Sequence, residues 1–484
     1  MRYLQFLLLV LASLQEQILS AENSRPNILM CVADDWSYGH ASIYGDPVVK
    51  TPNFDRVARE GALFHHAHCA AASCTPSRAA MLTGLWPHEL AEGGSLWSSL
   101  PARFAVYPDL LEKAGYAVGC EGKGWGPGDF KAGGRDRNPA GPPVKFEAFL
   151  GKLAKDHPFC FWYGSHDPHR PYVPGSGAAS GLKAQDVRVP AAWPDSPEVR
   201  SDMLDYYFAV QRFDARVGEI LAALEKAGRL DDTLVVVTSD NGMPFPHGKA
   251  TCYDLGTRMP LAVRWPSHIK AGAVINTFVS QVAFAPTFLE AAGLSIPPEM
   301  AEKSLLSLLE GKMTDGADKI FAERERHAQV RKGDGSYPVR SIRTGKWLYI
   351  HNFRPERWPA GDPEMVFSVG EFGDVDPGPT KDFILSHRDV PSLTHYFNSS
   401  FAKRPEEELY DVEADPEQLH NLVGTTELRE TQSKLRAELD QWMREKGDPR
   451  ATSDDDRWDK YPYYGAPGRE MKPPEKASSA GPAK

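Results

Sequence analysis

Leu234-Val235-Val236-Val237-Thr238-Ser239-Asp240-Asn241 is a run of branched residues that stops on an acid and an amide. Branched side chains suit a pleated surface, and an apolar run without polar alternation reads as a strand covered on both faces. Asn27 to Ala33 repeats the pattern and ends on Asp34-Asp35. Two more strand-like runs are Ala117 to Gly122 and Phe159 to Gly164, and helices are expected over Asn53 to Gly61, Tyr107 to Ala114 and Asp202 to Ala227. Apolar strands alternating with helices predict an α/β layer architecture with a large mixed, mostly parallel sheet between helices. Sites in open sheets of this kind form just past the C-terminal ends of strands. Asp34-Asp35 and Asp240-Asn241 fall there, although Asp-Asn-Gly is also a turn signal and paired aspartates also cap helices.

The chain's 484 residues point to two domains. From about Lys319 the pattern changes to short strands at Ile320–Arg324, Val339–Thr344, Trp347–Asn352 and Glu408–Val412. A helix follows, with apolar positions Leu428, Leu435, Leu439 and Trp442. This predicts a smaller C-terminal domain, 319–448, with a short antiparallel sheet and a packed helix. Residues 355–405, rich in Pro, Gly and Asp, read as long loops or an insertion. Residues 449–484 are polar and Pro-rich and read as a disordered tail. Met1 to Ala21 reads as a signal peptide for export to a periplasm or the exterior, leaving 22–318 as the main domain. No other stretch is long and apolar enough to span a bilayer. The net charge of −10 argues against a nucleic-acid or anionic-membrane partner, but not against a local cationic pocket for an anion. Six cysteines without CxxC spacing do not make a disulfide scaffold.

The most specific segment is Cys74-Thr75-Pro76-Ser77-Arg78, followed by Ala79-Ala80-Met81-Leu82-Thr83-Gly84. Thr75 or Cys74 can cap a helix, Pro76 suits its first turn, and Gly84 can end it. That places position 74 at a helix N-terminus, where free N–H groups favour an anion. A structural Cys, bridged to Cys69, is the plain alternative. Cys-x-Pro-x-Arg resembles the signature of the formylglycine-dependent (type I) sulfatases, in which the Cys is oxidised to an aldehyde. The aldehyde hydrate carries two hydroxyls on one carbon: one attacks sulfur, and the other then expels sulfate.

The resemblance extends over residues 27 to about 445. Phe159 to Arg170, which contains Ser165-His166-Asp167-Pro168-His169-Arg170, and Thr233 to Gly256, Tyr337 to Phe353 and Glu408 to Val423 are most similar to heparan N-sulfatases. It implies an alkaline-phosphatase-like core with a small C-terminal domain. It also implies one divalent ion held by Asp34, Asp35, Asp240, Asn241 and the oxidised Cys74. An all-oxygen, irregular ligand set suits Ca²⁺ better than Mg²⁺. Arg78 would steady the hydrate, and Lys123, His166 and Lys249 would supply cationic or proton-donating groups. A formylglycine-generating or anaerobic sulfatase-maturating enzyme is the implied partner.

This chain departs from the family at Gly122-Lys123-Gly124-Trp125, where many members read Gly-Lys-x-His, and it has Lys249 where the heparan N-sulfatase pattern carries Arg. With that His absent, His166 or Lys249 is expected to protonate the leaving group. Trp125 is expected to line the pocket and stack on a sugar ring, or to be an ordinary buried aromatic. Asp167, His169, Arg170, His327 and Arg340 are candidates for contacting the hydroxyls or carboxylate of a sulfated saccharide. The expected activity is removal of an N- or O-linked sulfate from such a glycan. The rivals are a phosphonate or phosphate ester hydrolase of the same superfamily and a catalytically silent glycan-binding protein.

Overall fold

The computed structural model describes residues 25–300, 302–313, 316–364 and 370–465. The expected signal segment lies outside them. Seven strands form the main sheet in the order β3-β4-β1-β5-β6-β2-β7. They are β1 (Asn27–Ala33), β2 (Ala62–His68), β3 (Ala117–Gly122), β4 (Phe159–Gly164), β5 (Thr233–Ser239), β6 (Arg258–Arg264) and β7 (Ala273–Ser280). Only β6 runs against its neighbours; every other pairing in this sheet is parallel. The buried runs read from the sequence, β1, β4 and β5, occupy the middle, and every residue of the three is buried. Apolar clusters cover both faces. Helix Pro197–Lys226 packs on one side, and helices Tyr107–Lys113 and Phe284–Ala291 on the other.

A four-stranded antiparallel sheet follows in the order β11-β10-β9-β8, built from β8 (Lys319–Arg324), β9 (Val339–Thr344), β10 (Trp347–Asn352) and β11 (Glu407–Asp411). Helix Arg429–Glu445 packs on it through Leu435, Leu439 and Trp442. Leu428 is the residue just before that helix. Ala80 and Trp86 of the main domain share this apolar cluster, so the two layers are joined by a common core.

Two expectations need correction. Residues 355–405 contain helices Pro379–Ser386 and Thr394–Ser400, and Phe372 and Phe401 from this stretch are buried in the main core. Residues 449–465 are packed rather than a free tail: Arg450 is buried and Trp458 is fully enclosed. The rest of the expected tail, 466–484, lies outside the described residues.

Candidate active site

Strand register explains why distant residues meet. Ala33 pairs with Ser239 and Val32 with Gly164, while Gly122 pairs with Gly164 one strand further out. Asp34, Asp240, Ser165 and Lys123 are therefore the next residues beyond four adjacent parallel strand ends. Gly122 has φ +74°, and a Cβ there would lie 2.1 Å from the Gly164 carbonyl oxygen, so only glycine lets the chain turn here and aim Lys123 inward. Past the end of β2, the ten-residue helix Cys74–Thr83 brings in its N-terminus. Ser73, not Cys74 or Thr75, is the capping position, and Gly84 closes the helix at φ 69°.

One ligand atom each from Asp34, Asp35, Cys74 and Asp240 lies within 4.8 Å of the others, all buried. The Cys74 Sγ is 3.4 Å from Asp34 Oδ1 and 3.8 Å from Asp35 Oδ1. All six cysteines are free, which removes the Cys69–Cys74 bridge. Three fixed cations face the three carboxylates. Arg78 Nε donates to Asp240 Oδ2 at 2.7 Å, Lys123 Nζ to Asp34 Oδ1 at 2.6 Å, and Lys249 Nζ to Asp35 Oδ2 at 2.8 Å. Burial pushes the Asp34 carboxyl up, but Lys123 and Arg78 more than reverse this and hold it well below the usual carboxylate range. Burial also raises the Cys74 thiol and the Asp240 carboxyl, despite the nearby cations.

A cleft of about 660 Å³ opens above Asp34 and Lys123, walled by Trp97, Trp125, Phe130, His166, Asp167, His169 and Arg170. The sulfatase family model matches residues 26–136 and 144–294, and that for the C-terminal part of N-sulphoglucosamine sulphohydrolases matches residues 247–362. The chain belongs to the sulfatase family. The human N-sulphoglucosamine sulphohydrolase is 30% identical, aligned over 89% of this chain and 93% of its own. An ulvan-active sulfatase of Formosa agariphila is 28% identical over 89% and 82% of the two chains. A solved structure of a protein with its substrate D-glucosamine-2-N,6-O-disulfate is similar in fold, with a TM-score of 0.65 at 22% identity, covering 89% of this chain and all of that one.

The oxygen donors around Cys74 suit a hard metal ion. Asn241 Nδ2 donates to Asp35 Oδ1 at 2.6 Å, which fixes the amide, and Asn241 Oδ1 is then a buried acceptor with no donor among the described residues. A buried, orphaned oxygen beside three carboxylates is what a cation with oxygen ligands would satisfy. Asp35 also holds a left-handed backbone, φ 78°, a strain that clusters at functional sites.

The remaining candidates divide. His166 is exposed on the cleft wall. His169 reaches inward, its Nε2 lying 3.7 Å from Asp35 Oδ2. Trp125 lines the cleft but is 4% exposed, its backbone clasped by Asn138. Asp167 sits at the rim, paired with Arg212 at 2.6 Å. Arg170 lines the cleft, yet both terminal nitrogens are committed to Asp202 at 2.7 Å. His327 is enclosed, bonded to Ser73 Oγ at 2.8 Å, and burial pushes its imidazole down to about 3, so it braces the residue before Cys74 as a neutral group. Arg340 corrects an expectation outright: at 0% exposure, among Glu323, Glu325 and Asp448, it has no route to a sugar. Asp376 went unread in the sequence. It comes from the 355–405 stretch, lies 3.2 Å from Lys249 Nζ, and shares a cluster with Asp35 and His169. No local motif marks it, because a lone Asp in a Pro-Gly loop looks like a turn.

Proposed function

We propose that this sulfatase removes an N- or O-linked sulfate from the terminal unit of a sulfated glycan, using formylglycine formed at Cys74. The observation that carries this reading is the convergence of Asp34, Asp35, Cys74 and Asp240 beneath a cleft with cationic and aromatic walls. One hydroxyl of the hydrated residue 74 attacks sulfur, and the bond from sulfur to the sugar oxygen or nitrogen breaks as that atom takes a proton. The second hydroxyl then gives up its proton, its oxygen re-forms the carbonyl, and the bond to the sulfate breaks. Water rehydrates the aldehyde, so the sum is hydrolysis. Asp34, Asp35, Asp240 and Asn241 would hold the ion, Ca²⁺ by its tolerance of a crowded oxygen set. When bound, such an ion supplies Lewis-acid polarisation of the sulfate. Arg78, Lys123 and Lys249 offset three of the four carboxylates, Asp376 being the fourth, so an added divalent ion would still leave the pocket positive towards an anionic substrate.

His169 is better placed than His166 to protonate the leaving group. Its Nδ1 lies 2.5 Å from the Arg170 carbonyl oxygen, which can only accept, so Nδ1 is the donor there and Nε2 is the nitrogen left to meet a substrate. Nε2 is the atom that faces the carboxylate cluster. His169→Ala is expected to slow hydrolysis of a saccharide sulfate by ~10²–10³-fold and that of an activated aryl sulfate much less. His166→Ala should stay within about threefold of the parent. The opposite ranking would return the proton to His166. A sulfated glycan as substrate fits the expected signal segment, and a maturating enzyme would have to meet the chain before residue 74 is enclosed.

A panel of defined sulfated saccharides, run beside the sulfate and phosphate esters of one phenol, tests the assignment. Sulfate release from one terminal sugar, lost on chelation and restored by Ca²⁺, is expected. Preference for the phosphate ester would move the chain to the phosphonate and phosphate hydrolases.

A further inference from the structure

We propose that Trp97 forms an outer sugar subsite, a platform for the saccharide ring next to the one that loses sulfate, and that the chain's C-terminal segment holds this platform in place. The inference rests on the glycan reading above. Trp97 lines the same cleft as Asp34 and Lys123, and unlike Trp125 it is only half-buried, so it presents ring surface to the cleft. A pyranose shows an apolar C–H face that packs on such a ring while its hydroxyls stay in water.

Trp97 is also held at a cost. Its φ is 53°, a left-handed conformation that a bulky residue adopts only when its surroundings enforce it. Contacts on two sides supply that enforcement. On one side Ser98 bridges to Gly128, at the end of the loop that carries Lys123 and Trp125. A Cβ at Gly128 would lie 2.3 Å from the Ser98 carbonyl oxygen and 2.9 Å from the Trp125 ring, so these strips are in direct contact. On the other side Tyr464 N donates to the Trp97 carbonyl oxygen at 2.6 Å, and the Tyr463 ring lies 6.5 Å from that of Trp97. Arg326 ties the segment down: its Nη2 donates to the carbonyls of Tyr461 and Pro462 at 2.9 and 3.0 Å, and its guanidinium lies over Tyr463. Arg326 itself accepts from Leu96 N at 3.1 Å through its carbonyl. Residues 461–464 thus back Trp97 on one side, and the strip that carries Lys123 meets it on the other. A strained aromatic braced from the far end of the sequence is a costly way to fill surface and a reasonable way to fix a ring-binding face.

The test compares N-sulfated glucosamine with a heparin-derived disaccharide carrying it at the non-reducing end. The variant Trp97→Gly removes the ring while suiting the left-handed backbone, so it should fold. Its KM for the disaccharide is expected to rise about tenfold with kcat within about twofold, while KM for the monosaccharide stays within about twofold. In the full-length chain, Tyr463→Ala, which strips the ring packed beside Trp97 and under the Arg326 guanidinium, should shift KM in the same direction on the disaccharide alone. Equal KM changes on both sugars, or none on either, would overturn the subsite. If the parent turns over neither sugar, the N-sulfated glycan reading itself fails and takes the subsite with it, a result that Trp97 cannot produce.

Discussion

Replacing Cys74 with serine is expected to stop the sulfatase after one chemical event. A serine hydroxyl at the N-terminus of helix Cys74–Thr83 would sit where the thiol now lies, 3.4 Å from Asp34 Oδ1. It can take the sulfuryl group, but it has no second hydroxyl on the same carbon to expel it, and the buried ester must wait for water. Steady-state turnover should fall on the order of 10³-fold or more, with at most one equivalent of product released in a burst. The peptide containing residue 74 should then gain ~80 Da, the mass of a sulfuryl group replacing a proton. Multiple rapid turnovers by Cys74→Ser would mean that the second hydroxyl plays no part. The helix itself should be unharmed, because Ser73 and Gly84 rather than Cys74 define its ends.

Arg340→Met should be among the most destabilising single changes in the chain, with little effect on substrate affinity. Arg340 is wholly buried and pairs with Asp448 Oδ2 at 2.6 Å, Glu325 Oε1 at 2.7 Å and Glu323 Oε2 at 3.0 Å. Arg450 shares Glu325 at 2.9 Å, and His88 shares Glu323 at 2.9 Å. The network links the main domain, the small sheet and the segment after the last long helix. Removing Arg340 strips Asp448 of its paired cation and leaves Glu323 and Glu325 with one cation each in a buried network, which costs about 3–5 kcal/mol. Urea unfolding should show a markedly lower midpoint, and KM measured well below that midpoint should match the parent. Parental stability with a raised KM would restore Arg340 as a substrate contact.

The sequence spoke clearly where one physical demand ruled a segment. β1, β4 and β5 are buried on both faces, so their apolar runs admit few other readings, and the acids that follow them stand where parallel strands end. β2, β6 and β7 were missed because their demands conflict. β2 carries His65 and His66 half-buried beside a bulge, β6 contains Pro260 in a central position, and β7 is an edge strand with Val274 exposed. Site residues followed the same division. Asp34, Asp35, Cys74, Asp240 and Asn241 sit on or beside regular elements whose register brings them together. Arg340 lies on a strand too, but its alternation could not reveal which face would be sealed by Asp448, more than a hundred residues on. Asp376 and Trp97 belong to loops whose positions depend on tertiary contacts alone, and nothing near them in the chain announces a cleft.

Peptide mass at position 74 in fully active protein is the most direct measurement. If the acceptor of sulfur is an aldehyde hydrate made from that thiol, the peptide will be lighter than its encoded mass by ~18 Da, and specific activity will scale with the converted fraction. Full activity from a preparation whose residue 74 is intact cysteine would contradict the account.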